Sequence, residues 1–310
     1  MAEIKVNQLN EMAKDPRAMI SAAEDNYHKT ISKIADTLVN SGRIKAILLA
    51  GPSGSGKTTT ANLLCDAITA RGEECMVVSL DNFYLDHSDE RYPRDESGER
   101  DFESPGALDL EEIKKTIEKI TDGEAFSVPK YDFKTGAKVS RTEYPAMPHG
   151  CVIIEGLHAL NPAITAGLHE ERIFKLFISV STNINKGDAR IISGRKARFV
   201  RRMVRDSIFR GADAVRTLAL WKNVLVGEDL YLYPYRHLAD TSLDTFHTFE
   251  LGAMKEMAEA LILGGDAKLD PYGKTVLAAL ALIDPIDQSL IPHDSLIREF
   301  IGGGKYEELY

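Results

Sequence analysis

Apolar residues along this chain recur with two different periods. Ile31, Ile34, Ala35 and Leu38 stand three and four apart, which places them on one helical face, and residues 1–40 are predicted as a helical segment ended by Ser41-Gly42. Residues 44–50 (IKAILLA) are apolar but for Lys45 and read as a buried strand, and 59–68 (TTANLLCDAI) return to the helical pattern. A second strand is predicted over Cys75–Leu80, stopping at Asp81. Polar residues with Pro93, Gly98, Pro105 and Gly106 then mark 86–106 as a long loop. A helix is expected over Leu110–Ile120, a period-two hairpin or lid edge over Val128–Tyr144, and short apolar strands over Cys151–Ile154 and Ile173–Val180. Arg195–Arg210 reads as a basic helix. After residue 250 the pattern is helical again, broken at Gly264-Gly265 and ending in Gly302-Gly-Gly304.

Strands apolar on both faces, alternating with helices, predict an α/β fold with a mainly parallel sheet covered on both sides. The expected organisation is a helical extension over 1–40, a catalytic α/β domain over 41–250 and a second helical extension over 251–310. No internal repeat or low-complexity tract interrupts it.

The turn after the first apolar run carries the most specific chemistry. Gly51-Pro-Ser53-Gly54-Ser55-Gly56-Lys57-Thr58 fits G-x-x-x-x-G-K-[ST], a P-loop placed between strand and helix as its mechanism requires. Glycines let successive N–H groups converge on an anion, and the helix dipole adds to their field. Gly51, Ser53, Gly54, Ser55, Gly56, Lys57, Thr58 and Thr59 are therefore the candidate phosphate ligands. Lys57 supplies a charge for the β- and γ-phosphates of ATP, and the Thr58 hydroxyl a ligand for Mg²⁺. Ligands of open α/β sheets gather beyond the carboxyl ends of strands, where Asp81 and Glu155 both fall. Glu155 suits support of the metal, and Asp81 suits a general base for a hydroxyl near the γ-phosphate.

Bulk properties exclude some classes. The chain has 310 residues, 44% hydrophobic and 27% charged, with a net charge of −9, which argues against general nucleic-acid binding. Cys65, Cys75 and Cys151 are scattered and odd in number and read as free thiols of a reducing compartment. No apolar run approaches membrane-spanning length and the N-terminus lacks a signal-peptide pattern, so a cytoplasmic protein is expected. No metal-binding His/Cys pattern, G-x-S-x-G or N-K-x-D segment is present.

Beyond the P-loop, Ser79-Leu-Asp81-Asn-Phe83-Tyr84, Phe102-Glu-Ser-Pro105-Gly-Ala-Leu-Asp109, Val128-Pro-Lys-Tyr131-Asp-Phe133 and Ile154-Glu155-Gly156-Leu-His-Ala159 follow in one order. This succession resembles the uridine kinase family and, more distantly, phosphoribulokinase, over roughly residues 44–245. The resemblance implies a P-loop kinase with a five-stranded parallel core and a small lid, ATP–Mg²⁺ as donor, and transfer to the 5′-hydroxyl of a nucleoside, uridine or cytidine favoured. It makes Asp81 the catalytic aspartate, places Tyr84, Tyr131 and Phe133 around the nucleoside, and implies a homo-oligomer. Two positions depart from the family pattern. Glu103 stands for the aspartate that grips the ribose diol, and Gly136 for a histidine that reads the base edge.

Arg198, Arg201, Arg202 and Arg205 share one helical face. By resemblance this face belongs to a lid that closes over the phosphates, with Arg202 and Arg205 the favoured catalytic pair. Arg195 and Lys196 read as surface charge, and His158 as a packed or surface histidine. Two alternatives stay open. One is a kinase for another hydroxylated acceptor such as a sugar phosphate, with Lys130, Lys134 and Lys138 as candidate contacts. The other is a catalytically silent ATP-binding regulatory module.

Overall fold

The segments 46–50 and 150–156 are buried along their whole length, and they lie inside a five-stranded parallel sheet because neither has a solvent-facing alternative. The computed structural model describes residues 2–94, 98–265, 267 and 270–309. In chain order its first elements are β1 (Glu3–Lys5), α1 (Val6–Met12), α2 (Pro16–Ser41), β2 (Ala46–Ala50), α3 (Lys57–Thr69), β3 (Glu74–Ser79), α4 (Leu110–Asp122), β4 (Phe126–Asp132) and β5 (Ala137–Tyr144). There follow β6 (Gly150–Gly156), α5 (Pro162–Thr165), β7 (Ile173–Ser179), β8 (Asn183–Lys186), β9 (Ala189–Ile192), α6 (Gly194–Arg210), α7 (Ala214–Tyr231), β10 (Thr241–Asp244), α8 (Glu250–Leu263), α9 (Pro271–Leu280) and α10 (Arg298–Ile301).

The main sheet has the order β10-β7-β2-β6-β3, every pair parallel. All residues of β2 and β6 are buried. Ile47 and Leu49 face a core shared with α2, α3, α6, α8 and α9, whereas Ala46, Leu48 and Ala50 face a second core under α4 and the hairpin. The first core takes in Leu9 and Ile20 from one end of the chain and Leu280 and Phe300 from the other, so both extensions pack against the sheet.

The expected α/β architecture is present, and β4 and β5 form the antiparallel hairpin expected over 128–144. Ile31, Ile34, Ala35 and Leu38 are buried together on α2. The first residues depart from the helical expectation: Glu3–Lys5 is a strand paired in parallel with β8, which β9 joins antiparallel. Its partner lies far along the chain, so no local period announces it. Residues 95–97, within the loop expected over 86–106, lie outside the described residues, as do Met1, 266, 268, 269 and Tyr310 of the two expected extensions. The thiols are free but not scattered in space. Cys75 and Cys151 are register partners on β3 and β6, their Sγ atoms 3.9 Å apart.

Candidate functional site

Register places the chemistry at one edge of the sheet. Leu49, Glu155 and Ser79 stand side by side on β2, β6 and β3, so the phosphate loop leaves β2 at the level where Glu155 ends β6 and Asp81 follows β3. Asp81 sits in a one-turn 3₁₀ segment, Leu80–Phe83, whose first free amide is capped: the Asp81 N–H donates to Ser79 Oγ at 3.3 Å. Its carboxylate is left facing the cleft.

The P-loop is held from behind by two buried ion pairs. Arg198 forms a two-pronged pair with Glu228 at 2.7 and 2.8 Å, and its Nη1 also donates to the Ser53 carbonyl at 2.8 Å. Glu228 in turn accepts the Ser53 N–H at 3.0 Å. Arg201 pairs with Glu250 at 3.1 and 2.6 Å and donates to the Gly54 carbonyl at 3.2 Å. Thr245 donates to the Ser55 carbonyl at 2.7 Å. With the loop carbonyls turned back to these donors, its amides are free to turn forward. Gly54 adopts φ +72°, and a Cβ there would lie 2.9 Å from the Arg198 carbonyl, so the position requires glycine.

This arrangement redistributes the expected roles. Among the described residues no protein acceptor is found for the amides of Gly54, Gly56, Lys57 and Thr58, and these form the available anion cradle. The Ser53 amide is taken by Glu228. The Thr59 amide and hydroxyl are taken by Glu299 Oε2, at 3.2 and 2.9 Å. Gly51 packs against Ile178, and the buried Ser55 hydroxyl has no partner among the described residues. Among the described residues Lys57 Nζ makes one long contact, 3.4 Å, to the Pro52 carbonyl.

The basic helix also differs from expectation. Arg198 and Arg201 are fully buried in their ion pairs and are not part of a face closing over phosphates. The apolar residues between them, Phe199, Val200, Met203 and Val204, are equally buried, so α6 is a core element. Arg202 and Arg205 lie nearer the cleft. Arg202 Nη1 donates to Ser53 Oγ at 2.9 Å, and Asp206 gathers Arg202, Arg205 and Arg210 at 3.3, 2.9 and 3.3 Å.

The electrostatics are those of a cation-rich cleft around recessed acids. Burial pushes the Glu155 carboxyl up to about 7, against the opposing pull of Lys57. Asp81 is also pushed upward, chiefly by desolvation, while Lys57, Arg210 and Arg205 pull it down; its open face to the cleft limits that push. Glu155 and the Thr58 hydroxyl fit a divalent cation: a recessed carboxylate whose ionisation is penalised gains from a cation, and the hydroxyl has no protein partner among the described residues. Among those residues, no cluster of three His, Cys, Asp or Glu could hold a metal on its own.

On the Asp81 side, hairpin and loop build an aromatic cluster. Tyr84 lies 5.6 Å from Tyr131 and 5.7 Å from Phe133, ring centre to ring centre, and Tyr131 lies 5.1 Å from Phe133. Tyr131 is buried, its hydroxyl without a partner among the described residues, whereas Phe133 is 64% exposed. Glu103 packs its stem on Gly227 of α7, and burial pushes its carboxyl up to about 7, opposed by Arg202. Gly136 has a structural reason that the sequence does not show. A side chain there would collide with the His87 imidazole, while the His87 backbone N–H donates to the Gly136 carbonyl at 2.8 Å. His87 stands 5.7 Å from Phe102 and 6.5 Å from Tyr131 and so belongs to the cluster. His158 is packed, 3% exposed, its edge against Tyr231, and burial lowers it to about 4. Lys138 is committed to Glu112 at 2.6 Å and to Asp109 at 3.6 Å.

Sequence reasoning singled out Asp81, Glu155, Lys57, Thr58, Tyr84, Glu103, Tyr131 and Phe133; the fold brings Lys57, Asp81, Glu155, Tyr84 and Glu103 near one another, with Tyr131 and Phe133 against Tyr84. It missed Glu228, Glu250, Glu299, Asp206, Arg210 and His87. The available signal was slight: lone acids such as Glu250 beside Leu-Gly-Ala-Met on an apolar helix face.

Comparison with known proteins adds a family model, "Phosphoribulokinase / Uridine kinase family", matching residues 46–250. A uridine kinase of Halobacterium salinarum is 29% identical over 168 residues, 54% of this chain and 65% of that protein. A uridine kinase of Schizosaccharomyces pombe is 28% identical over 201 residues, 65% of this chain and 40% of that protein. A D-glycerate 3-kinase structure from Cryptococcus neoformans overlaps 66% of this chain and 88% of its own length at TM-score 0.45 and 13% identity. The chain spans between 37% and 65% of the length of the first curated relatives it matches. No helix among the described residues is long and apolar enough to cross a membrane.

Proposed function

From the premise that this chain belongs to the phosphoribulokinase/uridine kinase family, we propose that it transfers the γ-phosphoryl group of ATP to a hydroxyl of a nucleoside, with uridine or cytidine favoured. One observation carries the reading: the P-loop, Asp81 and Glu155 emerge side by side from β2, β3 and β6, with an aromatic cluster on the Asp81 side.

In this reading the amides of Gly54, Gly56, Lys57 and Thr58 hold the phosphates, and Lys57 neutralises the β/γ end. Thr58 and Glu155 would hold Mg²⁺, which when bound offsets charge on the phosphate oxygens. Asp81 accepts the proton of the acceptor hydroxyl as that oxygen attacks phosphorus. Arg202 and Arg205 stabilise charge in the cleft, held in place by Asp206. The cluster of Tyr84, Tyr131 and Phe133 lines the side against which a planar base packs, and Glu103 accepts from ribose hydroxyls. A sugar-phosphate acceptor is less favoured, because Lys138 is already neutralised by α4. The free thiols suit a reducing compartment such as the cytoplasm.

The test is Mg²⁺-dependent ATP consumption against uridine, cytidine, purine nucleosides and ribulose 5-phosphate. Stimulation by uridine or cytidine is expected. ATP binding with no stimulation by any of them would replace this reading with a regulatory module or another acceptor.

A further inference from the structure

The tail segment from Ser295 to Gly303 has no part in the reaction above, yet it lies against the phosphate loop. Ser295, Leu296, Ile297, Glu299 and Phe300 are buried. Leu296 fills the space in front of Gly56, where a Cβ would sit 2.7 Å from its Cδ1. Phe300 lies beneath the Arg201 guanidinium, 5.0 Å from ring centre to Cζ, and Arg201 is the residue that holds the Gly54 carbonyl. Farther along, Lys305 and Tyr306 bond to Asp66 of α3 at 2.5 and 2.6 Å.

Glu299 reaches into the site itself. Its Oε2 accepts from both the amide and the hydroxyl of Thr59, the residue after Lys57-Thr58 in the first turn of α3. First-turn amides lack intrahelical acceptors, which is why a helix N-terminus binds anions. The Thr60 amide bonds to the Gly56 carbonyl at 2.9 Å, and the Thr59 amide just before it goes to Glu299. A carboxylate therefore occupies a position that a phosphate oxygen would otherwise take. No cation pairs with Glu299 among the described residues, and its negative charge also bears on Glu155.

We propose that Glu299 is a positioning residue of the donor site. It withdraws Thr59 from the donor, confines the grip on the triphosphate to the Gly54–Thr58 amides and Lys57, and weakens nucleotide binding by its charge. The inference rests on Gly51–Thr58 being the triphosphate site. Its effect falls on affinity rather than turnover, because the transferred phosphoryl group lies at the Lys57 and Asp81 end of the cleft.

The test uses the full chain with Glu299→Gln, which keeps an acceptor for Thr59 and removes the charge. ATP–Mg²⁺ affinity is measured by calorimetry, KM and kcat by initial rates, and folding by thermal midpoint. The expected result is a Kd and KM lower by about five- to tenfold with kcat changed by no more than about twofold. Leu296→Ala, which frees the segment from Gly56 without touching the charge, shifts Kd in the same direction. Unchanged or weaker ATP binding in both variants, with folding intact, would reduce Glu299 to a helix cap and overturn the proposal. Lys57→Ala separates the premise from the inference. If it leaves ATP binding undiminished, the phosphate site itself is misassigned and the inference falls with it. If it abolishes binding while Glu299→Gln changes nothing, only the inference falls.

Discussion

Replacing Glu228 with glutamine tests how the phosphate loop is supported. Arg198 and Glu228 are 1% and 0% exposed, and Glu228 Oε1 serves both the guanidinium and the Ser53 amide. Glutamine can still accept at one oxygen, but its amide nitrogen cannot accept from Arg198 Nη2, and the guanidinium loses its counter-charge. Leaving a buried charge uncompensated costs about 3–5 kcal/mol. At roughly 2–4 °C per kcal/mol for a chain of this size class, the thermal midpoint should fall by roughly 10 °C. Urea unfolding followed by circular dichroism measures the free energy directly. The double variant Arg198→Met/Glu228→Leu removes both charges and should recover much of the loss, since apolar replacement of a buried pair is often nearly neutral. A loss below about 1 kcal/mol in Glu228→Gln, or a double variant no more stable than the single one, would refute the argument.

Asp81→Asn should reduce turnover by about 10²- to 10⁴-fold while leaving ATP affinity nearly intact, measured by initial rates and calorimetry; equal turnover would remove Asp81 from the base role. Gly54→Ala must adopt φ +72° and meet the Arg198 carbonyl, so a loss of about 1–3 kcal/mol in urea unfolding and weaker ATP binding are expected. The raised carboxyls of Glu155 and Glu103 favour the protonated fold: their contribution is complete below the ordinary value near 4.5 and is lost as pH rises through about 7. The ligand-free protein should therefore lose some thermal stability across that window. ATP–Mg²⁺ affinity should gain across it, because the cation needs ionised Glu155. Glu155→Gln should flatten the affinity profile, and an unaltered profile would dissociate Glu155 from the metal.

The sheet was legible because β2 and β6 are buried on both faces and β7 is interrupted only by Lys175, so the ends of these runs fix where ligands collect. The P-loop was legible because its chemistry is local, with glycines, lysine and threonine within eight residues. The supports of that loop were not. Arg198 meets Ser53 across 145 sequence positions, and Glu299 meets Thr59 across 240, distances at which no periodicity carries information. The four arginines of α6 illustrate the limit. Helical spacing grouped them correctly on one side, but whether that side faced solvent or core depended on Glu228 and Glu250, whose positions only the tertiary fold sets. Gly136 is similar, since its departure from the family pattern becomes intelligible only beside His87.

The struts behind the phosphate loop also set a timetable. The signature residues 51–58 leave the ribosome early, but Arg198, Glu228, Arg201 and Glu250, which turn the loop carbonyls away, are made much later. At about 5–20 residues per second, Ser53 waits roughly 7–30 s for Arg198, and Thr59 roughly 12–48 s for Glu299. A nascent chain stopped before residue 250 carries the complete motif without the shape that binds phosphate. Nucleotide capture by stalled chains of increasing length would thus report the docking of residues 198–250 on the loop, and the donor itself becomes a late-acting ligand that stabilises only chains in which they have docked.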